Sequence, residues 1–574
     1  MGRCARGTSM NTIITQLNDA VKNALRNIAD ALSVQFDDTP ISDFIEMPKD
    51  KNHGDFATTA PLKLAKLFKK APRDIAALLC DRIKSDASLA KILKKIEIAG
   101  PGFINFSLLD STVHDILQSI LHQGQNYSRN SSLLGQKILL EFVSANPTGP
   151  LNAVSARAAA VGDVLASLLH RCAADVHREF YVNDFGNQVN LLGKSLKARC
   201  LQLLNHSADI PAEGYHGEYL IDMAKDLILK YGHATTDKSE DFFADYAIAT
   251  NVAHQKRDLT NYRVAFDEWF SEKTIHQNNL LEQNISALKK SNHLYEKEEK
   301  LWFRSTDFGD ELDRVVVRDN GIPTYFMADI AYHQNKYERG YTRLIDIWGP
   351  DHHGYIPRLS GAIQALGHPK ESFTVLIVQQ VNLVKDGVPV KMSKRAGKFV
   401  LMDDVISEVG TDAARFFFVM RSTDSPLDFD LELAKKQTAD NPCFYVQYAH
   451  ARIHSIYDKA REQCIDISNL NPSDANLALL TDPTELELIK KMGQFPSIIE
   501  LCGKLLEIHH LPYYLYDLAS LFHLYFNLGK EQPHLRIIGE NTELTKSRLA
   551  LISALKNIIQ DGLALLGVSA PTSM

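Results

Sequence analysis

Residues 12–34 and 61–94 repeat apolar and charged positions at helical spacing. The stretch Ala99–Leu108, AGPGFINFSL, sets Phe and Ile among Gly-Pro punctuation, as a turn followed by a strand does. Together they predict a small α+β unit over residues 10–109. The polar, Ser- and Asn-rich run Gln123–Leu134 reads as a linker. From Lys137, KILLEFV has the length and content of a buried strand, SANPTGP is a loop, and AVSARAAAVGDVLASLLHRC is a long Ala-rich helix. Strand, tight loop and helix in that order open a nucleotide-binding α/β domain. A mostly helical, polar stretch over about residues 186–300 interrupts the strand signals. They resume at RVVVRDNG near Arg314, LIDIWG near Leu344 and FTVLIVQQV near Phe373, so a sheet split by an insertion is expected. Beyond Asp403 the pattern is helical to the end, with breaks at Leu470–Asp482 and Glu531–His534.

Composition narrows the classes. With 574 residues, 45% of them hydrophobic and 23% charged, the chain has material for several cores, which excludes a small disulfide scaffold, a fibre and a disordered chain. The most apolar run, Ala158–Leu169, is short for a membrane span and contains Asp163, so no membrane partner is expected. The first residues carry Arg3 and Arg6 with no apolar stretch behind them, unlike a secretory signal, and leave Met10 as an alternative start. Seven scattered cysteines form no C-x-x-C pair, which suits reduced thiols in the cytoplasm and predicts no structural metal. At a net charge of -7 there is no global basic field, so contact with nucleic acid must come from local clusters such as Lys63–Lys70 and Lys391–Lys398.

The second cluster carries chemistry. In KMSKR, Lys391, Ser393 and Lys394 follow a strand and a turn, and two cations with a hydroxyl on one loop can hold a triphosphate and neutralise the charge of leaving pyrophosphate. An exposed basic loop is the competing reading, because K-x-x-K alone is common, and the context decides between them. KMSKRAG, WGPDHHGYIPR at Trp348–Arg358, EFVSANPTGP at Glu141–Pro150, YVNDFGNQ at Tyr181–Gln188, LWFRSTDFGD at Leu301–Asp310, TYFMADIAYH at Thr324–His333, DAARFFF at Asp412–Phe418 and YVQYAHAR at Tyr445–Arg452 together resemble the bacterial-type arginyl-tRNA synthetases, from about residue 12 to Met574.

The resemblance implies an α/β class I enzyme. Its Rossmann catalytic domain would span 135–405 with the insertion at about 186–300, preceded by an N-terminal domain (10–109) that touches the tRNA elbow. A connecting helical segment (406–440) and a helical anticodon-binding domain (441–574) would follow, with the D-A-L-R motif reading Asp412-Ala413-Ala414-Arg415. Arginine recognition calls for carboxylates, because guanidinium is a planar, permanently charged fork. The family pattern gives that role to Glu141 and Asp329, with Tyr325 beside them and Asn146 on the α-amino group. The alternative is that Glu141 caps a strand end and Asp329 starts a helix over Ile330–Tyr337. Gly349, Asp351, His352 and His353 follow the LIDIWG strand, where a doubly wound sheet presents its crevice, and are expected to bind ATP together with Lys391 and Lys394. A metal-bound His pair competes with that reading but lacks a third ligand in spacing range. For tRNA the pattern points to Phe103 and Asn105, and to Tyr445, Tyr448 and Met574 near the anticodon. Tyr445 and Tyr448, at i and i+3, also read as helix core.

One departure is large. Where the family carries P-L-H-V-G-H, this chain has Pro150-Leu151-Asn152-Ala153-Val154-Ser155. The imidazoles would donate to ATP phosphates at a helix N-terminus, and the glycine lets adenine lie against the backbone. Asn152 and Ser155 can still donate hydrogen bonds, whereas Val154 places two methyls where the base would lie. The expectation is an arginine-tRNA ligase using ATP with Mg2+ as substrate, acting on L-arginine and tRNA(Arg) as a monomer, with severely reduced activation. The alternative is an activation-deficient paralogue that binds tRNA, ATP or arginine without turnover. A small-molecule nucleotidylyltransferase would leave residues 441–574 unexplained.

Overall fold

The computed structural model describes residues 9–37, 44–48, 50–385, 387–389, 400–466 and 475–574. At the N-terminal end, helices Met10–Ala31, Ala60–Phe68 and Pro72–Lys84 accompany a four-stranded antiparallel sheet ordered Ile45–Glu46, Phe56–Thr58, Phe103–Leu108, Leu93–Ala99. The segment expected to be a linker is partly core. Tyr127, Ser128 and Leu133 are buried, and the Ser128 hydroxyl donates to Asp561 of the last helix at 2.7 Å. Polar composition misled here because a buried hydroxyl with a partner is as stable inside as out.

The catalytic-type sheet is parallel throughout, in the order Phe373–Ile377, Arg343–Trp348, Lys137–Glu141, Asp175–Val182, Glu268–Ser271. Strand order reverses between Lys137–Glu141 and Arg343–Trp348, which places the ligand crevice at their carboxyl ends. Two expectations shift. Glu268–Ser271, inside the span read as insertion, is an edge strand of this sheet, whereas Arg314–Val317 belongs to a separate antiparallel sheet with Leu294–Lys297 and Lys300–Phe303. Short apolar runs do not reveal their partners, because pairing is decided by segments far away in sequence.

Helix Ala153–Arg171 follows the first strand and packs across the sheet. It is long and apolar enough to cross a membrane by composition, but most of its side chains lie inside the core. Its alanines and Gly162 permit that closeness: a Cβ at Gly162 would meet the Phe142 ring at 2.2 Å. From Pro442 on the described chain is helical, with Pro442–Glu462, Pro483–Gly493, Phe495–Leu505, His510–Glu531 and Thr542–Leu565, but the segment before it, read as helical over 406–440, contains the strand Leu427–Asp430, which pairs in parallel with Val381–Lys385. Asn441, Asp482 and Asn541 cap the first, second and last of these helices with their side chains. The D-A-A-R residues join domains. Asp412 accepts from Arg263 (2.6 Å) and Gln447 (2.9 Å), and the fully buried Arg415 donates to Leu566 O (2.8 Å), Tyr262 O (3.0 Å) and Asp163 (2.5 Å). Gly567, at φ +66°, is required beside it, since a Cβ there would lie 2.3 Å from the guanidinium.

Candidate active site

The first strand ends in an acidic row. Asp346, Glu141 and Glu179 are register partners on three adjacent parallel strands, and Glu268 continues the row beside Glu179. Register partners share a face, so four carboxylates stand side by side. One helix, Tyr325–Glu338, with Arg339 at its end, supplies their partners at helical spacing. Lys336, fully buried, lies 2.6 Å from Glu141 and 3.0 Å from Asp346. His333 Nε2 lies 2.8 Å from Asp346, Tyr332 donates to Glu179 at 2.6 Å, and Arg339 bridges Glu179 (2.6 Å) and Glu268 (2.8 Å). Burial alone would raise the Asp346 carboxyl, but Lys336 and His333 outweigh it and hold the group below the usual carboxylate range.

On the same helix Asp329 has different surroundings. Thr324 caps the helix by accepting from the Met327 N–H, so the helix begins at Tyr325 and Asp329 lies in its second turn, not at its start as the alternative reading had it. Its carboxylate accepts from the Tyr355 hydroxyl, and desolvation raises its pKa, with Glu141 adding to the rise. Glu272, just past the edge strand, is 3% exposed. Desolvation first, then the charges of Asp329 and Asp184, push its carboxyl up to about 7. Asp184 accepts from the Ser271 hydroxyl (2.6 Å) and the Lys273 N–H (3.2 Å), while the Lys273 ammonium goes to Asp245 instead (2.9 Å). Among the described residues no lysine or arginine is ion-paired with Asp329, Glu272 or Asp184. His276, 3.7 Å from Glu272, has its pKa lowered by desolvation. The Tyr181 ring stands among these acids, which together with burial raise its hydroxyl far above the ordinary value. Such a cluster is set to receive a cation.

The sequence reading therefore changes in one respect. Glu141 is matched by Lys336 and by the Ser144 hydroxyl (2.8 Å) while its charge still reaches Asp329, and Glu272 and Asp184 join the two around Tyr181 without a lysine or arginine ion pair among the described residues. Asp184 sits in the quoted YVNDFGNQ and was within reach of motif reading, but Glu272 follows an unremarked strand and carries no local signal. Tyr325, 59% exposed, stands at the rim of the crevice over Gly186. The connecting loop leaves the strand through two left-handed residues, Val143 (φ +68°) and Ser144 (φ +38°), and a β-branched residue there stores about 1–3 kcal/mol of strain. Ser144 is held by the Tyr181 N–H at 3.1 Å, and Asn146 lies between Gln188 (3.0 Å) and Asn183 (3.2 Å).

Asn152 is the N-cap of helix Ala153–Arg171. Its Oδ1 accepts from the Ser155 N–H (3.0 Å) and the Ser155 hydroxyl (3.2 Å). The Ala153 N–H donates to the Val400 carbonyl at 3.3 Å, and Leu401 bridges to Asn152. Two backbone donors that an anion would use at this helix end are thus occupied, as is the Ser155 hydroxyl proton. Lys391, Ser393 and Lys394 lie outside the described residues, but the chain just beyond them, Val400–Met402, is joined to Leu151–Ala153, with the Met402 N–H on the Leu151 carbonyl at 2.9 Å. Gly349 caps the short turn Pro350–Tyr355, which carries Asp351, His352 and His353, all exposed, at the carboxyl end of the strand Arg343–Trp348. Neither histidine joins a group of three metal-ligating side chains among the described residues.

Away from the crevice, Phe103 and Asn105 line one cavity of about 480 Å3 with His53 and Ala57. Tyr445 is half-buried against Tyr516 (5.2 Å) and His523 (4.5 Å), as its helix-core reading had it. Tyr448 is exposed, with the Arg452 guanidinium 4.5 Å from its ring. Met574 lines a cavity of about 630 Å3 with Arg263, Asp412 and Gln447.

Three families match in order along the chain: "Arginyl tRNA synthetase N terminal domain" over 15–108, "tRNA synthetases class I (R), catalytic domain" over 116–425 and "DALR anticodon binding domain" over 446–574. An arginine-tRNA ligase of Desulforamulus reducens is 45% identical over 537 residues, 92% of this chain and 93% of the relative. One of Listeria monocytogenes is 44% identical over 547 residues, 94% of this chain and 96% of the relative. In fold, the chain is similar to the Thermus thermophilus arginyl-tRNA synthetase structure, with a TM-score of 0.74 at 20% identity, covering 98% of this chain and 100% of that one. On the full-length identity and the ordered domain matches, the chain belongs to the class I arginyl-tRNA synthetases.

Proposed function

We propose that the chain activates L-arginine with ATP and Mg2+ as substrate and transfers it to tRNA(Arg), as a cytoplasmic monomer, with the activation step strongly depressed. The observation that carries the reading is the cluster of Asp329, Glu272 and Asp184, with which no lysine or arginine is ion-paired among the described residues, where the chain leaves the carboxyl ends of strands Asp175–Val182 and Glu268–Ser271. The guanidinium enters that cluster under Tyr325, and Asn146 receives the α-amino group, which leaves the α-carboxylate facing the phosphate site. Gly349, Asp351, His352 and His353 serve the nucleotide together with Lys391, Ser393 and Lys394. Transfer RNA is held at two distant places: an unstacked elbow base at Phe103 and Asn105, and anticodon bases at Tyr448 and Met574.

Depressed activation follows from Asn152–Ser155. Losing one preorganised donor costs about 2.7–4 kcal/mol of barrier, and Asn152 and Ser155 engage each other where two imidazoles would serve the α-phosphate. The same pairing favours a second reading, a chain that binds arginine and tRNA without turnover. ATP–pyrophosphate exchange with tRNA present separates them. Installing Asn152→His, Ala153→Val, Val154→Gly and Ser155→His together should raise the rate about 10²–10³-fold from a measurable base, by the value of one such donor. A base rate of zero selects the second reading, and equal rates before and after the change refute depressed activation.

A further inference from the structure

The loop after the Glu141 strand is gripped from outside the nucleotide-binding core. Four successive carbonyls accept hydrogen bonds from side chains of the insertion. Asn146 O accepts from Gln255 Nε2 at 3.3 Å, Pro147 O from Asn251 Nδ2 at 2.8 Å, Thr148 O from the Tyr219 hydroxyl at 2.5 Å, and Gly149 O again from Gln255 Nε2 at 3.2 Å. The donors come from two helices, Tyr219–Tyr231 and Glu240–Asn261. Asn251 and Gln255 stand one turn apart on the same face, 2% and 1% exposed.

Packing alone does not explain this arrangement. A helix face that only packs is apolar, because a buried amide without full pairing is unfavourable. Gln255 accepts that disadvantage: its Oε1 is buried with no partner among the described residues, while its amide hydrogens are divided between two loop carbonyls. Its orientation therefore follows the loop. The loop in turn needs outside support, since it leaves the strand through left-handed Val143 and Ser144 and contains Pro147 and Pro150, which have no N–H to donate. Between the strained exit and the capped helix start, the insertion supplies the partners of 146–149. The Asn146 side chain, fixed by Gln188 and Asn183, is the group this grip places.

We propose that Tyr219, Asn251 and Gln255 are positioning residues: the insertion holds the 146–149 carbonyls so that Asn146 meets the α-amino group of arginine, which makes arginine affinity depend on residues that do not touch it. This rests on the reading of Asn146 given under the proposed function. Asn251→Ala and Gln255→Met, in the full chain, remove the amides, and Tyr219→Phe removes only the hydroxyl. Calorimetric titration with L-arginine, and separately with ATP, should show arginine binding weakened about tenfold in the two amide variants, with ATP binding within about twofold of the parent. The Tyr219→Phe change should be smaller than either. Hydrogen exchange of the amides of residues 144–146, 148 and 149 should quicken in each variant while that of strand Lys137–Glu141 stays slow.

Arginine affinity equal to the parent's overturns the proposal, and so does an equal loss for arginine and ATP accompanied by faster exchange throughout the strand, the pattern of a merely structural role. If the parent itself binds no arginine, the reading of the pocket falls. The exchange data then still separate the two failures, because faster loop exchange in the variants leaves the grip standing and unchanged exchange removes it as well.

Discussion

Two sets of carboxylates lie within one domain and have opposite electrostatics. On the sheet, Glu141, Glu179 and Asp346 are buried and each meets a cation from helix Tyr325–Glu338 or its end. In the crevice, Asp329 and Glu272 are desolvated with no lysine or arginine paired to them among the described residues, and their pKa values rise accordingly. The residue types are the same. What differs is whether the fold provides the counter-ion, and under the proposed reading this separates acids that hold the structure together from acids that take the guanidinium.

The largest test of that contrast is Lys336→Met. Glu141 and Asp346 would lose their shared ammonium and remain as uncompensated buried charges, so stability should fall by about 3–5 kcal/mol in denaturant unfolding. A loss under about 1 kcal/mol would break the comparison. The complementary change is Asp329→Asn in the crevice. Arginine affinity should fall about 10- to 150-fold, for a charge-assisted hydrogen bond of about 1.5–3 kcal/mol, while the unfolding midpoint stays put or rises because desolvation penalises the Asp329 carboxylate and no ion pair among the described residues is made by it. Destabilisation comparable to that of Lys336→Met would make the two sets alike.

Acidity gives a third measure. The Glu272 carboxyl sits at about 7 in the free protein, and a guanidinium beside it favours the ionised form, so binding releases a proton and tightens as pH rises. Between pH 6 and 8 the gain in arginine affinity should be about tenfold, levelling off above the free-state value. Glu272→Gln should flatten that profile, and a slope that survives the substitution assigns the titration elsewhere. The smallest effect belongs to Glu268→Gln. This side chain is 41% exposed and shares Arg339 with the buried Glu179, so its removal should alter stability by less than about 1 kcal/mol, which shows that burial, not membership of the row, sets the value of a pair.

Much of the architecture was legible from local signals. The strand Lys137–Glu141, the Ala-rich helix Ala153–Arg171 and the helices from Pro442 on stand where length, composition and periodicity placed them, because those signals are carried by neighbours in sequence. The strand Glu268–Ser271 was missed and Arg314–Val317 assigned to the wrong sheet, because pairing depends on partners that a local window does not contain.

By itself the sequence determined the family, through motifs whose order and content local chemistry can interpret, and it marked Asn152–Ser155 as a departure from the expected run. It named Asp329 as a carboxylate of interest and did the same for Glu141, with nothing in either segment to tell them apart. Only the tertiary structure decided that Glu141 is met by Lys336, 195 positions away, while Asp329 makes no ion pair among the described residues and has Glu272 and Asp184 nearby. The reason is physical: whether a carboxylate is neutralised depends on what lies within a few ångströms of it, and in a parallel sheet crossed by a helix those neighbours come from distant parts of the chain.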